Sequence, residues 1–263
     1  MSSPVPTARP VVLVTGAACR LGRAMALDLA THGFDVALHY RGSRDEALAT
    51  VAELRSAGAQ AHAFQADLSI ESDCRALVPA VAAHFNQRLD AVVNNASTFE
   101  YDDPASFSVA AMDKHWRANT APAILLAQAL HAHLTAAGKT TGCVVTLIDQ
   151  KLWNPNPDYF SYTLSKAALQ AATVMLAQAL APRVRVCGVA PGVTLVSGPM
   201  GADEFAVAHK MTPLQRSSTP DDIARAVRFL IESPAITGTT LLVDGGQHLS
   251  AQPRDVLYLA RNS

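Results

Sequence analysis

The 263-residue chain lacks a charge excess: 21 lysines and arginines face 22 aspartates and glutamates, a formal net charge of −1. Such a balance carries no electrostatic footprint for nucleic acid or an anionic membrane. Cysteine is scarce and scattered, at Cys19, Cys74, Cys143 and Cys187, with no CxxC pair and no Cys/His cluster. That excludes the usual structural zinc patterns and reads as buried, reduced thiols in a cytoplasmic protein. The opening MSSPVPTARP is polar, without the apolar core of a secretory signal, and residues 1–9 are expected to form a flexible leader. No apolar run reaches membrane-spanning length uninterrupted. Repeats, low-complexity tracts and linkers are also missing, so residues 10–263 read as one domain.

What is present is alternation. Apolar runs of β type at 11–16, 35–40, 61–66, 89–95, 142–148, 184–190 and 239–245 are separated by helical patterns near 21–32, 45–57, 71–86, 107–137, 159–181 and 220–232. The 107–137 stretch is expected to hold two helices, interrupted by Asn119-Thr120 and Pro122. Strands apolar on both faces imply a parallel sheet covered by helices on each side, an α/β doubly wound fold. The longest loop expected is 191–213, a length that points to a substrate lid.

The first strand meets its helix through TGAACRLG. Gly16 permits the tight turn and Gly22 a close backbone approach, the arrangement that offers helix N-terminal N–H groups to phosphate. Arg20 stands between them, either beside a pyrophosphate or as a solvated surface cation. The second strand ends in HYRGSR and lacks the acidic residue that grips a ribose 2′-hydroxyl in NAD sites. Arg41 with Ser43, and Arg44 nearby, suits a 2′-phosphate, hence NADPH rather than NADH, although Ser43 is equally a helix N-cap. Asp67-Leu68 follows the third strand, where an adenine would lie; Asp67 also qualifies as an N-cap. Asn94-Asn95-Ala96-Ser97 follows the fourth, at the strand ends where open α/β sheets bind ligands.

After the fifth strand comes Asp149, then Tyr162 and Lys166 four apart on one helix face. A phenol with a pKa near 10 is a poor acid–base catalyst at neutral pH, and an adjacent ammonium is expected to lower it; three units of depression need roughly 4 kcal/mol.

Thr15 to Gly22, Asn94-Asn95-Ala96, Asn119, Tyr162-x-x-x-Lys166, Pro191-Gly192 and VDGG at 243–246, in that order, resemble the short-chain dehydrogenase/reductase family. The resemblance implies a Rossmann-type seven-stranded parallel sheet, hydride transfer with Tyr162 as proton donor, Lys166 on the nicotinamide ribose, Asn119 anchoring a relay water, and a homotetramer. It also implies cofactor contacts from Leu21, Tyr40 and Val193. Most members carry a serine thirteen residues before the tyrosine; Asp149 stands there instead. An ionised aspartate only accepts hydrogen bonds, so it suits a substrate with N–H donors, or it is a carboxylic acid of raised pKa that donates a proton. TGAACRLGRAMA, HYRGS, NNASTF and Asp149 resemble the pteridine reductase and dihydromonapterin reductase branch, in which Arg20, Ser97, Phe99, Asp149 and Tyr162 would hold a pterin. Phe99 is alternatively a core or lid residue, Trp153 lines the pocket or packs its loop, and Tyr159 is structural or at the rim. The competing readings are an NADPH-dependent keto reductase of the same fold and a non-catalytic NADP-binding protein.

Overall fold

The computed structural model describes residues 8–139 and 141–261. The first seven residues of the expected leader lie outside the described residues. Seven strands, β1 (Val11–Val14), β2 (Asp35–Tyr40), β3 (Ala61–Gln65), β4 (Ala91–Asn94), β5 (Gly142–Leu147), β6 (Val184–Pro191) and β7 (Thr240–Val243), form one sheet. Helices α1 (Arg20–Thr31), α2 (Arg44–Ser56), α3 (Glu71–His84), α4 (Val109–His115), α5 (Ala121–Ala136), α6 (Phe160–Ala179), α7 (Ala202–Lys210), α8 (Pro220–Glu232) and α9 (Val256–Ala260) surround it.

The sheet is parallel throughout, in the order β3-β2-β1-β4-β5-β6-β7. Alternate residues of each strand feed opposite layers, as period-2 geometry requires. Val12 and Val14 pack with Met25 and Leu29 of α1 and Ile223 and Val227 of α8. Val11 and Leu13 pack with Leu77 and Val81 of α3 and Leu126 and Leu130 of α5. A strand covered on both faces must be apolar at every position, which is why these runs do not alternate with polar residues. The chain leaves β1 toward β2 and β3, then returns to the other side of β1 as β4. The two connections part at the carboxyl ends of β1 and β4, which opens the crevice where ligands enter such sheets.

Three elements differ from expectation. The 107–137 stretch holds two helices, and the expected break at Asn119-Thr120 lies in a π-helical segment, Trp116–Thr120, whereas Pro122 sits harmlessly in the first turn of α5. A first-turn proline has no helical hydrogen bond to lose. The 191–213 loop contains α7, and its Glu204 carboxylate accepts from the Gly201 N–H at 2.7 Å at the helix start. Beyond β7, α9 packs on α7, with Val256, Leu257 and Ala260 beside Met200 and Ala208, and no apolar period in the sequence marks it. Of the four cysteines expected to be buried, Cys19 is exposed.

Candidate active site

Two adjoining clefts open at the carboxyl ends of the strands. The first, about 470 Å³, lies against β1, β2 and β4. Every predicted cofactor residue from Gly16 to Ser97 lines it: Gly16, Arg20, Leu21 and Gly22 from the first turn, Tyr40, Arg41 and Ser43 after β2, Asp67 and Leu68 after β3, and Asn95, Ala96 and Ser97 after β4.

Its geometry follows from a few latches. Thr15 Oγ1 accepts from the N–H groups of Asn95 and Ala96 at 2.9 and 3.0 Å, and Asn95 Nδ2 donates to the carbonyls of Thr15 and Gly16 at 2.8 and 3.1 Å. Asn95 thus fastens the glycine turn to β4. His39, unremarked in the sequence, receives the Gly16 N–H on Nδ1 and reaches the Ala66 carbonyl through Nε2, tying three strand ends together. Burial holds its pKa low, so the ring is neutral with the proton on Nε2. Gly16 sits at φ +62°, and a Cβ on Gly22 would lie 2.3 Å from the Gly16 carbonyl oxygen. Both glycines are therefore required by the turn itself.

The first turn of α1 has no side-chain cap and no acidic residue. The N–H groups of Arg20, Leu21 and Gly22 have no acceptor inside the helix and face an anion-binding position. Among the described residues the Arg41 guanidinium has no hydrogen-bond or ion-pair partner, and the neighbouring Ser43, although at the N-cap position of α2, makes no capping bond. These free donors fit a dinucleotide carrying a pyrophosphate and a 2′-phosphate. Asp67 is not a helix cap: its carboxylate accepts from Ser69 N–H and Oγ at 3.0 and 2.7 Å, which keeps its pKa low, and α3 starts at Glu71.

The second cleft, about 310 Å³, joins the first through Arg20, Leu21, Asn95 and Ser97. Asp149, Tyr162 and Lys166 meet there with Phe99, Pro191, Gly192 and Val193. Tyr162 Oη donates to Asp149 Oδ2 at 2.9 Å, and the Lys151 N–H donates to Asp149 Oδ1 at 2.9 Å. Asp149 faces the cavity rather than bulk water. Burial raises its pKa, and the bonds from Lys151 and Tyr162 only partly oppose this. Tyr162 is raised well above 10, first by burial and then by the charge of Asp149. Lys166 Nζ donates to the Leu147 carbonyl at 2.8 Å and lies 5.6 Å from the Tyr162 ring centre; burial lowers its pKa to about 8. Without cofactor, burial first and Asp149 second thus hold the phenol's pKa up, and the Lys166 ammonium, donating to Leu147, does not offset them.

Asn119 is tightly held. Its Oδ1 accepts from Ser97 Oγ and the Thr98 N–H at 3.1 and 2.7 Å, and its Nδ2 donates to the Thr98 carbonyl and Ser165 Oγ, each at 3.0 Å. The amide is saturated and clamps the 94–98 segment to α6. Beside it lies a void of about 10 Å³, also lined by Asn94 and Lys166. That is about the size of one water. Among the described residues, the buried side-chain atom without a partner there is Asn94 Nδ2, a further group for a water in that void.

Phe99 lines the cavity, one face stacked on Tyr159 at 4.1 Å between ring centres and its ring perpendicular to Tyr162 at 4.7 Å. Tyr159 is buried at φ +53°, at the start of α6, and supports Phe99 from behind. Trp153 is exposed and does not line the cavity. Leu195 and Met200 do line it, and Arg20 donates to the Val196 carbonyl at 2.6 Å, joining the phosphate turn to the 191–200 segment. Sequence reasoning missed Lys151, Asn154, Asn156, Gln247, Gln252 and Asp255, all on this cavity. They sit in polar stretches without periodicity, where only the tertiary fold brings them together. Among the described residues no group of three or more metal-ligating side chains occurs, and no helix is long and apolar enough to cross a membrane.

Residues 16–248 match a protein-family model described as enoyl-(acyl carrier protein) reductase. Pteridine reductase 1 of Leishmania tarentolae is 34% identical over 285 residues, covering 93% of this chain and 98% of that protein. A 3-oxoacyl-[acyl-carrier-protein] reductase of Staphylococcus epidermidis is 30% identical over 242 residues, covering 90% and 98%. The crystal structure of FolM alternative dihydrofolate reductase 1 from Brucella suis in complex with NADP superposes with a TM-score of 0.87 at 41% identity, covering 94% of this chain and 98% of that one.

Proposed function

The chain belongs to the short-chain dehydrogenase/reductase family of oxidoreductases, and on that footing we propose that it is an NADPH-dependent pterin reductase converting a dihydropterin to its tetrahydro form. The observation that carries this reading is the Tyr162–Asp149 hydrogen bond of 2.9 Å, with a carboxyl of raised pKa where a serine is the family's common choice. A keto group needs a hydrogen-bond donor beside its oxygen. An ionised carboxylate cannot donate, whereas an N–H-bearing heterocycle offers donors to it and a ring imine takes a proton from its acid form.

The α1 N-terminus with Arg20 would hold the pyrophosphate, and Arg41 with Ser43 the 2′-phosphate; NADP in the Brucella relative supports the same cofactor here. Bound there, the nicotinamide supplies a hydride. The ring carbon of the substrate's C=N bond receives it, and the ring nitrogen receives a proton. Tyr162, protonated and oriented by Asp149, donates that proton directly or relays it from the Asp149 carboxyl. Lys166 holds the ribose and balances the charge left on the pair. Phe99, braced by Tyr159, offers a flat apolar face to a planar ring, and Ser97 a polar contact. Residues 191–213, pinned through Arg20, form the substrate lid. Leu164, Val174 and Met175 stand exposed on α6 and support assembly through that face; the homotetramer itself rests on the family resemblance.

A second reading, a keto reductase, draws on the 3-oxoacyl-[acyl-carrier-protein] reductase relative. NADPH oxidation by the purified protein, with a 7,8-dihydropterin against a panel of keto substrates over pH 4.5–8 as a chosen range, separates the two. The pterin reading expects dihydropterin turnover that rises toward acid pH and collapses in Asp149→Ser. Keto reduction alone, surviving or improving in Asp149→Ser, would establish the second reading instead.

A further inference from the structure

The helix that carries Tyr162 begins without a cap of its own. Its N-cap residue is Tyr159, at φ +53°, whose side chain makes no capping bond. Serine, threonine, aspartate or asparagine is the usual choice there, because each accepts an N–H of the first turn. In α6 the position is given instead to a ring stacked on Phe99 at 4.1 Å. The first N–H groups of α6 have no acceptor inside the helix, and Ser161 is fully buried, so an acceptor must come from another part of the chain.

Asp102, in the segment after β4, supplies it. Its carbonyl accepts the Phe160 N–H at 3.1 Å, its Oδ1 accepts the Ser161 N–H at 2.9 Å, and its Oδ2 accepts from the Ser161 hydroxyl. Asp102 is only 6% exposed, and the positive end of α6 offsets part of the cost of burying its charge. These bonds hold the two residues after Tyr159, which keeps a tyrosine in the left-handed region that L side chains rarely adopt. The same segment is also fastened on either side of Phe99. Asn119 binds the N–H and carbonyl of Thr98, and His115 Nε2 accepts the Glu100 N–H at 3.4 Å. Phe99 therefore lies between clamps, and Tyr162 lies one residue beyond Ser161, where the last of them grips.

We propose that Asp102 is a positioning residue for the proton transfer: by capping α6 from outside the helix, it fixes the proton donor Tyr162 relative to the ring platform Phe99. Asp102 lines neither cleft, so it acts through these two residues and not on the substrate or cofactor. The rings of Phe99 and Tyr162 are 4.7 Å apart, and a displacement of about 1 Å between a bound ring and its proton donor can cost about a hundredfold in rate. This inference rests on the roles given above to Tyr162 and Phe99.

The experiment measures kcat, KM, NADPH affinity and Tm for Asp102→Asn, Asp102→Ala and the double variant Asp102→Ala/Ser161→Ala, with whichever of the dihydropterin and keto substrates the wild type reduces. Asp102→Ala should lower kcat by about ten- to a hundredfold and raise KM, with NADPH affinity near wild type. Asp102→Asn, which keeps an acceptor for the Ser161 N–H, should recover most of that loss. The double variant removes the hydroxyl that Asp102→Ala leaves unpaired, so its Tm should rise above that of Asp102→Ala while kcat stays low. It carries the test by itself where Asp102→Ala does not fold. A kcat that recovers together with Tm, or that never falls, would mean that Asp102 serves stability alone, and overturns the proposal. Reduction of keto substrates only overturns the pterin reading and leaves Asp102 to be judged on those substrates. A wild type that reduces neither class overturns the proton-donor role of Tyr162, and this inference with it.

Discussion

The two clefts that meet at Arg20 are built on opposite principles. The cofactor cleft is made largely of backbone: a glycine turn, the N–H groups of α1, and loops latched by Thr15, Asn95 and His39. Of its charged donors, Arg20 reaches the Val196 carbonyl, while the Arg41 guanidinium has no partner among the described residues. In the substrate cavity, side chains do the work and nearly all are engaged: Lys166 with Leu147, Lys151 with Asp158, Tyr162 with Asp149. The difference suits the ligands. A dinucleotide brings its own charge and needs donors to meet it, whereas a small neutral ring needs a preorganised acid in a dry setting.

Substitutions sharpen this contrast. Tyr162→Phe should remove the proton donor and lower kcat by about 10²–10⁴-fold while NADPH affinity, measured by fluorescence titration, stays near wild type. Joint loss of both would mean that the two clefts are not separable. Gly22→Ala attacks the backbone half. With its Cβ 2.3 Å from the Gly16 carbonyl, the turn must shift, and overpacking of this kind costs about 1–3 kcal/mol. It should appear first as weakened NADPH binding, and unchanged affinity would contradict the close-approach argument. Arg41→Ala should weaken NADPH by about ten- to a hundredfold, the ~1.5–3 kcal/mol of a charge-assisted hydrogen bond, and leave NADH binding alone. Equal losses for both cofactors would remove Arg41 from the 2′-phosphate.

The same contrast explains what could be read in advance. Gly16, Gly22, Arg41, Asp67 and Asn95 lie within short motifs whose order along the chain is the order of the strands, so the cofactor cleft followed from sequence. The sheet followed too, since strands buried on both faces cannot hide their composition. The substrate cavity draws on segments after β4, β5, β6 and β7 and on the chain beyond, which approach only when the fold is complete. Nothing local marks Gln247 as buried or Lys151 as engaged. The surroundings of the Tyr162 phenol were not legible for a related reason: Tyr-x-x-x-Lys spacing places two residues on one face, but not where the ammonium points. The burial of Tyr162, its contact with Asp149 and the Lys166–Leu147 hydrogen bond all depend on the finished fold. The π-helical turn at Trp116–Thr120 is likewise invisible to a 3.6-residue period, yet it carries Asn119.

The smallest expected effect, on stability, tests the buried acid most directly. Asp149 has a folded pKa raised above its usual 3.8 by burial. Its contribution to stability is therefore fully present below about that value and is lost as pH rises through the folded pKa, because ionisation is harder inside than in the unfolded chain. In Asp149→Asn, the side-chain oxygen can still accept the Lys151 N–H while Nδ2 donates to Tyr162 Oη, so both polar contacts survive without a charge. The variant and wild type should melt together at strongly acid pH and diverge as pH rises, the variant becoming the more stable, by about 2–4 °C in Tm per kcal/mol for a chain of this size. The pH at which the gap stops widening reads the folded pKa of Asp149. Melting curves that stay parallel from acid to neutral pH would mean that the carboxyl ionises normally, and the proton it is assigned in catalysis would have to come from Tyr162 alone.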